Sequence, residues 1–155
     1  MPTDHSPSIH NRKASFNYHI LESQEAGLVL AGTEVKSLRA GKGNLQESFA
    51  RIEKDEVWLY HMHISPYDHG NIHNPDPVRK RKLLLHRKEI GKLSAKIKER
   101  GLTLVPLKLY FTRGKAKIQL ALAKGKTHGD KRDSLRKKEA DRDIERAMAQ
   151  RKRRF

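Results

Sequence analysis

A mainly β protein is predicted: an OB-like six-stranded antiparallel barrel with one main helix and one or two short ones, followed by a basic tail that is disordered when free. Three observations predict it. Six short apolar alternations are separated by turns rich in glycine, proline or charge, one stretch repeats its apolar residues at helical spacing, and strong apolar periodicity stops near Gly125. Strands long enough to bend favour closure, because an open sheet of six would leave two exposed edges.

Residues 1–10 are polar, contain Pro2 and Pro7 and lack periodicity, so they read as a disordered leader. Phe16, Tyr18 and Ile20 alternate with Asn17 and His19, which predicts the first strand. A second, curved strand is expected over Leu28–Leu38, with Gly32 at a bulge or bend. Ala40–Gly43 makes a turn, and Asn44 is placed to cap one or two helical turns through Ser48. Phe49–Glu53 and Val57–Ile64 form a hairpin around Lys54 and Asp55, with Trp58, Tyr60, Met62 and Ile64 on one face of the second arm. These aromatics are candidate stacking platforms. With only 6% aromatic residues in the chain, however, filling the core is the preferred reading. Ser65–Val78 is a proline-bearing loop leading to Arg79-Lys80-Arg81-Lys82. Arg87–Arg100 carries Ile90, Leu93 and Ile97 on one face and ends at Gly101, a left-handed cap. Leu102–Thr112 and Lys115–Ala123 make the last hairpin around Arg113-Gly114, with Leu107, Leu109 and Phe111 facing inward and Pro106 marking an edge or bulge.

Charge narrows the function. The 155 residues carry 34 Lys and Arg against 18 Asp and Glu, a net +16. The last 32 residues hold 13 basic and 6 acidic side chains, a net +7, and the remaining 123 keep +9. Because core and tail are both basic, a nucleic acid is the expected partner. The predicted organisation is a leader at 1–10, a nucleic-acid-binding barrel at 11–124 and a basic tail at 125–155, in a cytoplasmic, monomeric protein. No apolar run approaches the ~20 residues of a membrane helix, and the N-terminus does not read as a secretory signal. The absence of cysteine excludes disulfides and thiolate chemistry.

Enzyme signatures are weak. Gly125-Lys126-Thr127 resembles the end of a phosphate-binding loop, but Leu120 stands where that loop needs its first glycine. His61 and His63, with His69 or His73, are a possible metal set without an HExxH or an obvious carboxylate. No serine sits in a GxSxG elbow. Neither catalysis nor a metal or cofactor is expected.

Specific strings carry more. Glu25-Ala26-Gly27, the run Gly32-Thr33-Glu34-Val35-Lys36-Ser37-Leu38-Arg39-Ala40-Gly41-Lys42, and Asp76-Pro77-Val78-Arg79-Lys80-Arg81-Lys82-Leu83-Leu84-Leu85 closely resemble the small protein B family, bacterial partners of transfer-messenger RNA. Gly101–Tyr110, Ala123-Lys124-Gly125-Lys126 and Asp130-Lys131-Arg132 match later motifs of that family in the same order, so the resemblance spans about Asn11 to Met148. It implies an OB-like barrel that binds the tRNA-like domain of transfer-messenger RNA and escorts it to ribosomes stalled without a usable codon. It also implies a tail that folds as a helix in the empty mRNA channel. By the family pattern, Asn11 and Glu25 lie in the RNA-contacting surface with Lys36, Arg39 and Lys42 nearby; Arg12, Lys13, Arg79, Arg81, Lys82, Lys124, Gly125 and Lys126 complete the expected RNA set. His128, Asp130, Lys131, Arg132, Arg136, Lys137, Lys138, Arg142, Ile144 and Met148 are the expected ribosome contacts. Glu25 would repel a phosphate, so it accepts from a base or 2′-hydroxyl, holds a cation in position, or merely caps the turn before Gly27. One departure concerns the tail: Gly129 stands directly before Asp130-Lys131-Arg132, where the family carries a tyrosine or histidine, and Thr127 replaces a common lysine. His128 would reach a decoding-centre base through a kink at Gly129, or stacking is weaker here. The competing reading is a ribosomal or ribosome-assembly RNA-binding protein.

Overall fold

The computed structural model describes residues 6–67 and 74–153. The chain divides into two compact units, Met1–Gly125 and Lys126–Phe155. The first contains β1 (Ile9–His10), α1 (Ala14–Asn17), β2 (Tyr18–Leu28), α2 (Gly32–Arg39), β3 (Gly43–Asn44), β4 (Phe49–Glu53), β5 (Glu56–Tyr60), β6 (His63–Ile64), β7 (Arg81–Leu84), α3 (Arg87–Arg100), β8 (Thr103–Thr112) and β9 (Lys115–Gly125). The second contains α4 (His128–Arg153).

Strands β8, β4, β5, β7, β2 and β9 are neighbours in that order, and β9 pairs back onto β8. The result is a closed antiparallel ring of six strands, the predicted architecture. Its seam is narrow: β4 meets β8 only at Ala50 and Leu104, and β1 takes a further stretch of β8 at Leu109 and Lys108. This differs from the expected disordered leader through residue 10. Ile9 packs against the core and its backbone joins β8, so the end of that segment belongs to the barrel wall. Residues 1–5 lie outside the described residues. Deleting residues 1–10 is expected to cost about 2 kcal/mol, from a half-buried isoleucine and its ladder bonds; thermal unfolding of the deletion variant measures it.

The interior is aliphatic. Leu38, Leu45, Val57, Leu59, Met62, Leu109 and Ile118 are fully buried there, and Phe111 is the buried aromatic of the cluster. Trp58 and Tyr60 do not join them, which corrects the expected core role. His61 adopts a left-handed backbone with φ of 62°, which resets the strand alternation. Val57 and Leu59 point inward before it and Met62 and Ile64 after it, leaving Trp58 and Tyr60 outside. A bulge at Pro106 acts similarly: pairing with β9 slips between Pro106 and Lys108. Leu107 therefore joins Val105, Ala121, Ala123 and Tyr18 in a small second cluster rather than facing inward.

The expected strand over Leu28–Leu38 is also corrected: β2 ends at Leu28 and α2 begins at Gly32. The Ala31 N–H donates to Glu34 Oε1 at 2.9 Å, a helix-start contact, and Leu38 is buried with Val35 packed beside it. Asn44 caps no helix; its Oδ1 accepts from the Gln46 N–H at 2.8 Å, an Asx turn. Both expected hairpins form. Lys54 and Asp55, like Arg113 and Gly114, all have positive φ, as a two-residue turn matching strand twist requires. Helix α3 spans the predicted residues and ends at Gly101 with φ of 61°.

Within the second unit, α4 opens on a reciprocal cap. The Asp130 N–H donates to Thr127 Oγ1 and the Thr127 N–H donates to Asp130 Oδ2. The substitution of Thr127 for lysine thus supplies a helix start. Gly129 lies inside the helix, with no left-handed kink to swing His128. Leu135, Ile144 and Met148 are 49%, 54% and 62% exposed, a thin apolar stripe with little cover. We propose that this helix is marginal in the free protein, since a charged helix without a packed face gains little. Hydrogen exchange should find no slowly exchanging amides over residues 133–148 in dilute protein, and Gly129→Ala should raise tail helicity by circular dichroism.

Candidate nucleic-acid interface

The longest ladder of the ring, β2 with β9, carries a polar outer face. Glu25 lies opposite Gln119, and Gly27 opposite Lys117; on β8, Tyr110 lies beside Lys117 and Lys108 beside Gln119. The Tyr110 hydroxyl donates to Glu25 Oε2, Lys117 Nζ stands 3.9 Å from Glu25 Oε1, and Lys108 Nζ lies 5.2 Å over the Tyr110 ring. Gln119 Nε2 donates to Ser23 Oγ at 3.1 Å. Burial, then the hydrogen bond to Glu25 and its charge, push the Tyr110 phenol up to about 12, so it remains a donor throughout the physiological range. Glu25 is mid-strand, which removes turn capping from the alternatives. It gathers one phenol and one ammonium, leaving Lys117 aimed by a carboxylate.

Beside this pair runs a cleft lined by Glu25, Gly27, Leu84, Leu85, His86, Glu89 and Lys117. Its floor includes Leu84, which is 54% exposed. A Cβ on Gly27 would stand 3.3 Å from Leu84 Cβ, so glycine allows β2 and β7 this close approach. Two carboxylate acceptors, a phenol and an apolar floor together suit ribose hydroxyls and a base edge, and Lys117 is the group that meets a phosphate. Lys108, Tyr110, Lys117, Gln119 and Leu84 were not singled out from sequence. For the four on β8 and β9 the signal was present in the alternation of the last hairpin, whose even and odd positions divide outside from inside once the Pro106 bulge is counted; Leu84 lies on β7.

The other expected RNA residues are distributed unevenly. Lys36 and Arg39 project from α2, and Lys42 follows in the turn after it. Lys36 Nζ lies 5.4 Å over the Tyr67 ring; the Arg39 guanidinium lies 4.6 Å over Phe111 and donates to Ser6 Oγ at 2.6 Å. Arg12 and Lys13 are exposed ahead of α1, and Lys124 lies opposite His19 near the start of β2. Gly125 closes β9, while Lys126 belongs to the second unit and donates to Ser134 Oγ. Lys82 pairs with Glu56 at 3.5 Å on the outer face of β7. Asn11 is committed to the β8 bulge: its N–H donates to the Leu107 carbonyl and its side-chain amide to the Pro106 carbonyl, at 2.8 and 2.9 Å.

Arg81 must be corrected. It has no exposure and cannot touch RNA: its guanidinium donates to Glu34 Oε2 at 2.6 Å, to the Met62 carbonyl at 2.6 Å and to the Pro77 carbonyl at 3.1 Å. Arg79 closes the other side of the same carboxylate, 2.5 Å from Glu34 Oε1. Burial raises the Glu34 pKa, but hydrogen bonds from Arg79, the Ala31 N–H and Arg81 hold it below its ordinary value overall. The basic run after the proline loop is therefore partly a clamp on α2. Among the described residues, no group of three or more His, Cys, Asp or Glu can hold a metal; His69 and His73 lie outside them. No helix among the described residues is long and apolar enough to cross a membrane.

Comparison with known proteins places these features in a family. A family model described as SmpB protein matches residues 8–150. The SsrA-binding protein of Desulforudis audaxviator is 61% identical over 137 residues, covering 88% of this chain and 90% of the relative. That of Carboxydothermus hydrogenoformans is 60% identical over 138 residues, covering 89% and 93%. A solved structure described as "tmRNA-SmpB: a journey to the center of the bacterial ribosome" superposes with a TM-score of 0.67 at 51% identity, covering 84% of this chain and 95% of that one.

Proposed function

The chain belongs to the SmpB family, and from that membership we propose that it binds the tRNA-like domain of transfer-messenger RNA and delivers it to stalled ribosomes for trans-translation. The barrel grips the RNA and the tail licenses the event by occupying an mRNA channel that is empty. Peptidyl transfer belongs to the ribosome, and this protein, in the cytoplasm, acts as carrier and sensor.

The observation that carries the reading is the outer face around Glu25, Tyr110 and Lys117, where a carboxylate aims a lysine beside an apolar cleft. Lys36, Arg39 and Lys42 add phosphate contacts from α2 and its following turn. Neutralised phosphates release counterions, so 4–6 contacts predict a log–log salt slope of about −3 to −5. Lys117→Ala or Lys36→Ala is expected to weaken binding of the tRNA-like domain at every salt concentration and to make the slope shallower by about one. Glu25→Gln behaves differently: with Lys117 no longer held by a carboxylate, affinity drops by more than about 1 kcal/mol. Salt titrations of the parent and these variants test the assignment. Parallel lines with identical intercepts would place all three side chains outside the interface.

A further inference from the structure

Three strands round the ring from β9, the outer wall of β4, β5 and β7 presents three rows of side chains. Phe49 faces Tyr60 with ring centroids 5.5 Å apart and planes within 11°. In the next row, Arg51 faces Trp58, which faces Lys82. The Arg51 guanidinium lies 5.7 Å from the Phe49 ring, Lys80 Nζ lies 4.6 Å over Trp58, and the His61 ring stands 5.2 Å from Phe49. A third row, Glu53 and Glu56 at the hairpin tip, is acidic: Glu53 accepts from the Tyr60 hydroxyl and lies 3.9 Å from Lys80, and Glu56 pairs with Lys82. None of the three aromatics belongs to the core or packs against it. In a chain with nine aromatics among Phe, Tyr and Trp, three stand half-buried on an outer wall, covered only by one another and by the side chains beside them.

We propose that this wall is a second RNA-binding surface, separate from the Glu25 face, which stacks unpaired bases on Phe49, Trp58 and Tyr60 while Arg51 and Lys80 meet the flanking phosphates. Every base has a π-face, so aromatic rings on a sheet bind single strands with little sequence preference, and neighbouring cations take the backbone. Here the cations already stand over the rings. A base arriving on Trp58 or Phe49 displaces a side chain that is long enough to swing to the adjoining phosphate. Glu56 opposes a backbone at the hairpin tip, while Glu53 reaches back to accept from the Tyr60 hydroxyl and fixes that ring. Duplex RNA keeps its bases stacked internally and has nothing to offer these rings. The proposal rests on the reading above only in taking RNA as the partner; the two faces are centred on different strands, β4 and β5 here and β2, β8 and β9 there, and meet along the outer side of β7, where Lys82 and Leu84 stand two residues apart.

Trp58 is the only tryptophan, so its emission reports from within the surface. The full chain is titrated with an unstructured ten-nucleotide RNA, with a duplex of the same composition, with the isolated tRNA-like domain, with full-length transfer-messenger RNA and with small ribosomal subunits. The single strand is expected to change Trp58 emission saturably and the duplex to leave it unaltered. Phe49→Leu and Tyr60→Leu should each weaken the single strand about tenfold while binding the tRNA-like domain within twofold of the parent, which also shows that they fold. A Trp58 response to full-length RNA or to small subunits then identifies the natural source. An equal response to duplex, no response to the single strand, or unaltered affinity in both leucine variants overturns the proposal. So does retention of a protein, rather than RNA, that is lost in Tyr60→Leu. If the tRNA-like domain fails to bind the parent while the single strand still does, the carrier reading fails and this surface stands.

Discussion

Truncation after Lys126 is expected to abolish peptide tagging on stalled ribosomes while leaving affinity for the tRNA-like domain within about threefold. The truncated protein keeps a net +11 and contains all of the Glu25 face, so the electrostatic and specific parts of the grip survive. What the truncation removes is a helix with a net positive charge and an exposed stripe at Leu135, Ile144 and Met148. Such a helix is suited to ribosomal RNA, which neutralises its charge and covers its stripe. The check pairs an RNA-binding assay with a tagging assay on ribosomes stalled at the end of a truncated message. A loss of RNA affinity above about 2 kcal/mol, some 30-fold, would make the tail part of the primary RNA site.

The second large effect is on stability. Replacing Glu34 with alanine leaves Arg81, which has no exposure, without its carboxylate and frees Arg79 as well. Breaking a buried pair from one side typically costs about 3–5 kcal/mol, because the remaining charge is buried unpaired; at about 2–4 °C per kcal/mol, the midpoint should fall by roughly 10 °C. The same carboxylate gives the protein an acid limb. Its folded pKa is depressed, so it contributes stability above the ordinary glutamate range, and that contribution fades as pH falls through the lowered value. Glu34→Gln should therefore be less stable than the parent at neutral pH, and the gap should narrow on acidification below about pH 4. Denaturant unfolding across pH measures both. An Arg81→Ala variant that melts like the parent would contradict the clamp.

Six strands were legible in the sequence, but not the right six. Alternation identified both hairpins and the first residues of β2 from Tyr18, though Phe16, read as part of that strand, belongs to α1; glycine after a helical stripe fixed the end of α3. The segment 28–38 alternates well enough to suggest a strand, yet the apolar pair Val35 and Leu38 also suits a helix. The deciding contact, Glu34 to the Ala31 N–H, depends on a carboxylate whose burial only the distant Arg79 and Arg81 explain. Strand β7 was hidden by the same pairing. With Arg81 occupying an inward position, Arg81–Leu84 reads as a basic cluster running into a leucine run, although Arg81 and Leu83 point in and Lys82 and Leu84 out. The misplacement of Trp58 and Tyr60 has a single origin, the left-handed His61, for which a non-glycine residue gives no warning. At the candidate interface, Glu25 and the cations Lys36 and Arg39 of α2 were legible through their motifs. Lys117 and Tyr110 became visible only when the register of β9 against β2 and β8 placed them beside Glu25.

The central claim is that this protein selects transfer-messenger RNA through the Glu25 face. Identifying the RNA that copurifies with the chain from its host, after a wash that strips weak polyanion binding, tests it most directly. Transfer-messenger RNA should be the dominant species, and it should be strongly reduced when Glu25→Gln and Lys117→Ala are combined. Stoichiometric ribosomal RNA in mature particles, retained equally by the double variant, would contradict the claim and return the protein to the class of ribosomal or ribosome-assembly proteins.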